Sequence, residues 1–319
     1  MSEIRIGLIG GSGLGQVLGS AEEGTRHEVE TPFGKPSDAI VETQWAGLPV
    51  FILQRHGPGH LLGPSQVPFR ANIFAMKKLG VTHIIASGAV GSLREQMKPR
   101  DLVIPDQIID KTSRRAGSFF ENAAVHVELA EPFCPVLRKV LITSGTGFGP
   151  VGSSNETEHG PEAHATVVHD RGCYVCMEGP AFSTRAESLM HRLWGGDLIG
   201  MTAMPEAKLA REAEISYALI ALVTDYDCWR KRPAPPPGQA AEPANPSELL
   251  QEIIANLQAA SDNGMALIRR AVERIAADPG LVANSPAHSA LKLAIWSDKS
   301  RIARQGVELL GPLWMKYFE

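Results

Sequence analysis

The 319-residue chain has no long block of like charges, no long apolar stretch and few cysteines that could staple it. Its 31 basic and 35 acidic side chains leave a formal net charge of −4 and form no basic block. That balance argues against nucleic acid or an anionic membrane as the main partner. No apolar run approaches the roughly 20 residues of a membrane span. The start, Met1-Ser2-Glu3-Ile4-Arg5-Ile6, is an alternating strand pattern rather than a secretory apolar core, so a cytoplasmic location is expected. There are four cysteines, Cys134, Cys173, Cys176 and Cys228. Cys173 and Cys176 form a lone C-x-x-C with neither a second pair nor a histidine at finger spacing, so no metal site is expected. On a strand, positions i and i+3 face opposite sides, and the two read as buried, reduced thiols.

What is present is a soluble, globular composition, 44% apolar and 21% charged, arranged as strands alternating with helices. Ile4–Ile9, Pro49–Leu53, His83–Ser87, Leu102–Ile104, Val167–Met177 and Ile215–Val223 read as strands. Gln66–Leu79 carries a helical stripe at Phe69, Ile73, Met76 and Leu79. Thr184 and Glu187 make a capping box opening a helix through Trp194, and Pro205-Glu206 suits the first turn of another. The alternation predicts an α/β layer fold. Thr143–His164 reads as a loop or insertion. Arg232–Pro246 holds six prolines and reads as a connector. Beyond it, Ser247–Ala277 is predicted helical on Leu250, Ile253, Ile254, Leu257, Met265, Ile268, Val272 and Ile275. A helical tail is expected from Ser289 to Phe318. The resulting division is a core over 1–230, a connector over 231–246, and C-terminal helices over 247–319 packed on the same domain.

Chemistry-bearing residues gather at strand ends. The first strand runs into Gly10-Gly11-Ser12-Gly13-Leu14-Gly15, where bare backbone N–H groups and a hydroxyl can approach an anion. The dinucleotide and P-loop fingerprints both fail here, and a plain βα turn is an equal reading. Arg55-His56-Gly57 ends a second strand, Ser87–Ser92 forms a third strand-to-glycine junction, and Thr202 ends a fourth. Thr224–Trp229 closes the apolar strand Ile215–Val223. If the backbone stays extended, Asp225 and Asp227 share a side, and one of two crowded carboxylates tends to keep a proton. A solvated acidic turn is the alternative.

Together, Gly10–Leu14, Thr31–Asp38, Arg55–Gly57, Gly91–Glu95, Ala130–Pro135, Glu178–Ser183, Arg185–Glu187, Met201-Thr202, Pro205-Glu206 and Thr224–Trp229 resemble the S-methyl-5′-thioadenosine phosphorylases. These form part of the trimeric branch of the purine nucleoside phosphorylase family. The likeness runs in order from about residue 4 to residue 230.

The resemblance implies a single-domain nucleoside phosphorylase-like α/β fold, with a central mixed sheet flanked by helices and a helical C-terminal extension. It implies phosphorolysis of methylthioadenosine to adenine and methylthioribose 1-phosphate by direct displacement. Inorganic phosphate is then a cosubstrate, and neither a metal nor an organic cofactor is implied. By resemblance, Ser12, Arg55, His56, Thr202, the Ala89 backbone and the Gly88 position would hold phosphate. Met201 would meet the ribose, with His60 nearby. Phe182 and Ser183 would bound the purine. Asp225 and Asp227, with Tyr226 between them, would recognise adenine and assist its departure. His126 would reach a neighbouring subunit's site in a homotrimer. The family usually carries Thr at the Gly88 position, so weaker phosphate binding is expected, with Ser87 compensating only if the loop is rotated. Beyond Trp229 the connector displaces the segment that walls the 5′ substituent. A phosphorylase of 6-oxopurine nucleosides, including methylthioinosine, and a non-catalytic nucleoside or phosphate sensor are the competing readings.

Overall fold

The computed structural model describes residues 3–13, 24–147, 166–230 and 246–319. Residues 14–15 of the first glycine-rich turn, most of the 143–164 loop and the connector up to residue 245 lie outside them.

The apolar strands sit where hydrophobic runs bounded by turn residues predict them. In chain order they are β1 (Ile6–Gly10), β2 (Thr25–His27), β3 (Ile40–Trp45), β4 (Leu48–Gln54), β5 (His83–Ser92), β6 (Leu102–Val103), β7 (Gln107–Asp110), β8 (Val168–His169), β9 (Cys173–Cys176), β10 (Leu198–Gly200) and β11 (Ser216–Asp225). They form one mixed sheet, ordered β2-β3-β4-β1-β5-β10-β9-β7, with β11 on the other side of β5 and β6 and β8 beyond it. β1 is parallel to β4 and β5, and β11 is parallel to β5. The carboxyl ends of these four strands therefore point one way, the edge at which open α/β sheets hold ligands.

Helices cover both faces. On one lie α1 (Phe69–Lys78) and α4 (Ala203–Glu212), packed against Ile73, Met76, Leu209 and Leu219. The other is covered by α2 (Pro135–Gly145) and α5 (Pro246–Ala277), through Leu137, Leu141, Ile268 and Val272. α3 (Arg185–Leu193) starts at the Thr184–Glu187 capping box that the sequence predicts. At Met204 the backbone is extended (φ −115°, ψ 140°), so regular helix in α4 begins at Pro205.

Four expectations change. The 167–177 run is two short strands, because 170–172 break away and β8 pairs with β6 while β9 pairs with β7 and β10. Pro246 belongs to α5, not to the connector. The tail is a series of short turns, including α6 (Arg304–Leu309) and α7 (Gly311–Trp314), that anchor through Val307, Leu313 and Trp314. Leu250 and Ile254 are exposed. The first turns of α5 reach past the sheet: Asn256 donates to the Thr224 carbonyl at the end of β11 (3.0 Å), so residues before it lie beyond that end.

Candidate active site

β5 carries both halves of the site, three residues apart. At its Ser87–Gly88 end, three elements crowd close to bare backbone. A Cβ on Gly11 would lie 2.6 Å from Arg55 Nη1 and 3.0 Å from the Ser87 carbonyl. Only glycine lets the turn after β1 close on Arg55 and β5. Gly88 has open space beside it, with Thr202 Oγ1 its nearest neighbour at 3.4 Å from an added Cβ. Ser87 cannot replace the missing hydroxyl there. Strand alternation sends its side chain to the α5 face, with Ile85, while Gly88 faces Thr202. Its buried hydroxyl has no hydrogen-bond partner among the described residues.

Arg55 is wholly buried. Its Nε and Nη2 donate to Glu206 Oε2 and Oε1 and its Nη1 to the Ser87 carbonyl, all at 2.8 Å. A guanidinium has five N–H groups, so one on each terminal nitrogen remains free of these bonds. His56 is pushed down to about 4 by burial and then by the Arg55 charge, and is neutral at pH 7. Its Nδ1 lies 2.7 Å from the Leu62 carbonyl, which can only accept. The proton therefore sits on Nδ1, and Nε2 offers a lone pair. The His60 ring stacks on His56 at 4.2 Å and is otherwise exposed. Thr202 is buried at the start of α4, its N–H 3.4 Å from Tyr174 Oη. A Cβ on Gly200 would fall 2.0 Å from that oxygen, so the bare glycine admits the tyrosine.

Three residues further along β5, the carboxylates converge. A Cβ on Gly91 would meet Asp225 Oδ1 at 3.3 Å and Asp227 Cβ at 3.2 Å. The β5–β11 register shifts between Val223 and Asp225, leaving Thr224 as a bulge. The strand ends at Asp225, and Asp227 has φ +40°. A tight turn, not strand alternation, pairs the two: the Asp227 N–H donates to Asp225 Oδ1 at 2.8 Å. Burial, then the nearby Asp227 and Glu252 charges, raise Asp225 above the ordinary carboxylate range despite its hydrogen bonds.

Strand rise of about 3.3 Å per residue separates Gly88 from Gly91 by roughly 10 Å. An anion-binding cluster and a carboxylate cluster thus succeed one another along the same strand. The chain matches the phosphorylase superfamily model over residues 5–273. It is 45% identical to S-methyl-5′-thioadenosine phosphorylase of Synechocystis sp. over 316 residues, covering 98% of this chain and 87% of that one. The chain belongs to the S-methyl-5′-thioadenosine phosphorylase family.

Solved members of this phosphorylase family share the whole architecture. A methylthioadenosine phosphorylase from an antarctic soil metagenomic library superposes with TM-score 0.80 at 42% identity, covering 98% of this chain and 99% of that one. The S12T mutant of the Schistosoma mansoni adenosine/methylthioadenosine phosphorylase, in complex with methylthioadenosine, gives 0.75 at 33% identity, covering 92% and 99%.

Not every residue expected at this phosphorylase site is drawn into it. The Tyr226 ring turns toward Trp229 and the Arg230 guanidinium, with its hydroxyl 3.4 Å from the Glu95 carbonyl. Phe182 is 85% exposed. Ser183 sits closer in, its carbonyl accepting from Cys228 Sγ at 3.2 Å. His126 is exposed and packs on Trp296 of the tail. Met201 is held by its backbone, the carbonyl accepting from Arg115 Nη1 at 2.6 Å. The C-x-x-C thiols are free. Cys176 is buried and Cys173 half-buried, and burial pushes them up to about 12 and 11. Sequence reasoning missed Glu206 as the partner of Arg55, although Pro205-Glu206 was visible as a motif. Also missed were Ser188, Asn256 and Tyr174, which carry no local signal. Among the described residues no helix is long and apolar enough to cross a membrane.

Proposed function

We propose that this chain cleaves S-methyl-5′-thioadenosine with inorganic phosphate, giving adenine and 5-methylthioribose 1-phosphate, in purine and methionine salvage. The observation that carries the proposal is the spacing on β5. Thr202 and Gly11, with Arg55 behind it, gather at Gly88, and Asp225 and Asp227 gather at Gly91.

In this reading the two spare Arg55 N–H groups, Ser12, Thr202 and loop N–H groups hold phosphate beneath the anomeric carbon. His56 Nε2 accepts the proton of a protonated phosphate oxygen, which orients the attacking oxygen. That oxygen forms its bond to C1′ as the C1′–N9 bond breaks and its electron pair enters the purine. Asp225 gives its proton to N7, and Asp227 accepts from the 6-amino group. The sugar, positive in the transition state, faces the bound phosphate. Met201 and His60 flank the ribose, with Ser183 beside the base. Phosphate is a cosubstrate, and the scheme uses no metal or organic cofactor.

The enzyme in this proposal is a cytoplasmic homotrimer in which His126 approaches a neighbouring subunit's substrate. Leu293 and Trp296, 85% and 71% exposed near His126, supply apolar surface suited to a subunit contact.

The test is to incubate the chain with methylthioadenosine, methylthioinosine, adenosine and inosine, with and without phosphate, and measure free base. Phosphate-dependent adenine release, fastest from methylthioadenosine, is expected. Base release independent of phosphate, or preference for 6-oxopurines, would defeat the proposal. The sugar phosphate should form with inversion, and a trapped glycosyl-enzyme would exclude direct displacement.

A further inference from the structure

The two carboxyl groups are not equivalent, and the difference lies in the hydroxyls that touch them. Ser188, on the inner face of α3, is fully buried, and its Oγ donates to Asp227 Oδ2 at 2.5 Å. Its other neighbour is the Cys228 thiol, which spends its proton on the Ser183 carbonyl and is a weak acceptor. The Ser188 proton is therefore committed to Asp227, and a carboxyl oxygen that receives a donor is favoured as an ionised acceptor.

Thr224, the bulged residue of β11, is placed differently. Its Oγ1 lies 2.7 Å from Asp225 Oδ2 and 3.2 Å from the Val90 carbonyl. A hydroxyl has one proton and two lone pairs, while a carbonyl can only accept. When Asp225 carries a proton on Oδ2, that proton can rest on Thr224 Oγ1 while Thr224 donates to Val90. When Asp225 is ionised, Thr224 can turn its proton to Oδ2. Thr224 thus has a partner in both protonation states, whereas Ser188 stabilises only one. The remaining donor, the Asp227 N–H, is fixed on Asp225 Oδ1 and keeps that carboxyl oriented in both.

We infer that Ser188 and Thr224 are positioning residues that assign the shared proton, Ser188 holding Asp227 as the acceptor and Thr224 serving Asp225 both with and without its proton. The inference rests on the phosphorolysis of a 6-aminopurine nucleoside argued above, and deepens it. During turnover the Asp225 proton passes to N7 as the glycosidic bond breaks, Thr224 turns to the new carboxylate, and a solvent proton restores Asp225 after adenine leaves. Neither residue touches the substrate in this scheme. Ser188 serves 6-amino recognition, and Thr224 serves proton delivery.

The test uses the full chain and steady-state kinetics with saturating phosphate. Ser188→Ala is expected to raise the KM for methylthioadenosine about tenfold, and to lower the methylthioadenosine-to-methylthioinosine ratio of kcat/KM about tenfold, the size of one charge-assisted hydrogen bond. Ser188→Thr keeps the hydroxyl and should recover most of both. Thr224→Val is expected to lower kcat about tenfold with KM changed by less than about threefold, and Thr224→Ser to recover it. If Ser188→Ala does not fold, by circular dichroism, Ser188→Cys keeps the volume with a weaker donor and should show the same change in ratio at smaller size. An unchanged ratio in whichever Ser188 variant folds overturns the inference. So does an identical kcat and KM pattern in the Ser188 and Thr224 variants. Failure of the unaltered chain to release adenine with phosphate would instead remove the phosphorolysis proposal itself, and is seen before any variant is made.

Discussion

Arg55 and Glu206 form a bidentate ion pair with both bonds at 2.8 Å and neither side chain exposed. Tyr217 donates to the same Glu206 Oε1 at 2.8 Å. A lone guanidinium in this place would be an uncompensated buried charge, so Glu206 is what lets Arg55 wait at the sheet edge without an anion. The site is thus less cationic than Arg55 alone suggests. Phosphate would be held by directed N–H and hydroxyl donors more than by net charge.

Glu206→Ala leaves that charge unpaired and should lower stability by about 3–5 kcal/mol in urea denaturation. Tyr217→Phe removes one hydrogen bond and should cost about 1 kcal/mol. A Glu206→Ala loss below that of Tyr217→Phe would show that the pair is not the structural anchor described here.

Gly88→Thr should be tolerated, since the closest atom to its new Cβ is Thr202 Oγ1 at 3.4 Å. The added hydroxyl faces the Thr202 side, and the KM for phosphate should fall about tenfold, as for one hydrogen bond to a charged group. An unchanged phosphate KM would mean that the hydroxyl does not reach the anion.

Asp225→Asn keeps the shape but supplies no carboxyl proton. Adenine release should drop by about 10²-fold or more, the usual share of a general acid. The amide should shift preference toward hypoxanthine nucleosides, and unchanged selectivity would defeat the assignment of the base site. Because the Asp225 pKa is raised, its proton is retained above the ordinary carboxylate range, and adenine release should fall as pH rises through that shifted value.

Stability should change with pH in a way that Glu212 opposes. His56 and His83 are both pushed down to about 4, chiefly by burial. Unfolding lets them take up protons below about 6.5, so stability is complete above that pH and is lost toward 4. Burial pushes Glu212 up to about 7, although it accepts from the Phe119 N–H at 2.8 Å. It favours the folded state below about 4.5 and loses that contribution as pH rises through 7. Between pH 5 and 6 the signs oppose. Glu212→Gln should therefore steepen the rise of unfolding free energy with pH by about 1 kcal/mol per unit, read from denaturation curves. An unaltered slope would place Glu212 in an ionised state throughout.

Much of the frame was legible locally. The capping box at Thr184 and Glu187 opens α3, and Met265, Ile268, Val272 and Ile275 are the buried stripe of α5. The edge strand β2 was not legible. It is Thr-Arg-His, with two of its three residues exposed, so neither apolar run nor alternation marks it. Among the described residues β7 pairs with β9 alone, and with none of its residues fully buried it went unmarked in the same way. The pairing of Asp225 with Asp227 was expected for the wrong local reason, since a bulge and a left-handed Asp227 replace the extended backbone.

The sequence by itself determined the order of strands and helices, the glycines at strand ends and the residue types gathered there, because these depend on hydrophobic period and backbone freedom over a few residues. The tertiary structure decided which of those residues meet. Glu206 reaches Arg55 across 151 positions, and Ser188 reaches Asp227 from another helix. It also decided that Ser87 faces away from Thr202, while Gly88 faces toward it. Such partnerships follow from sheet order and register, and so do the burial and charge that neutralise His56 and raise the Asp225 pKa.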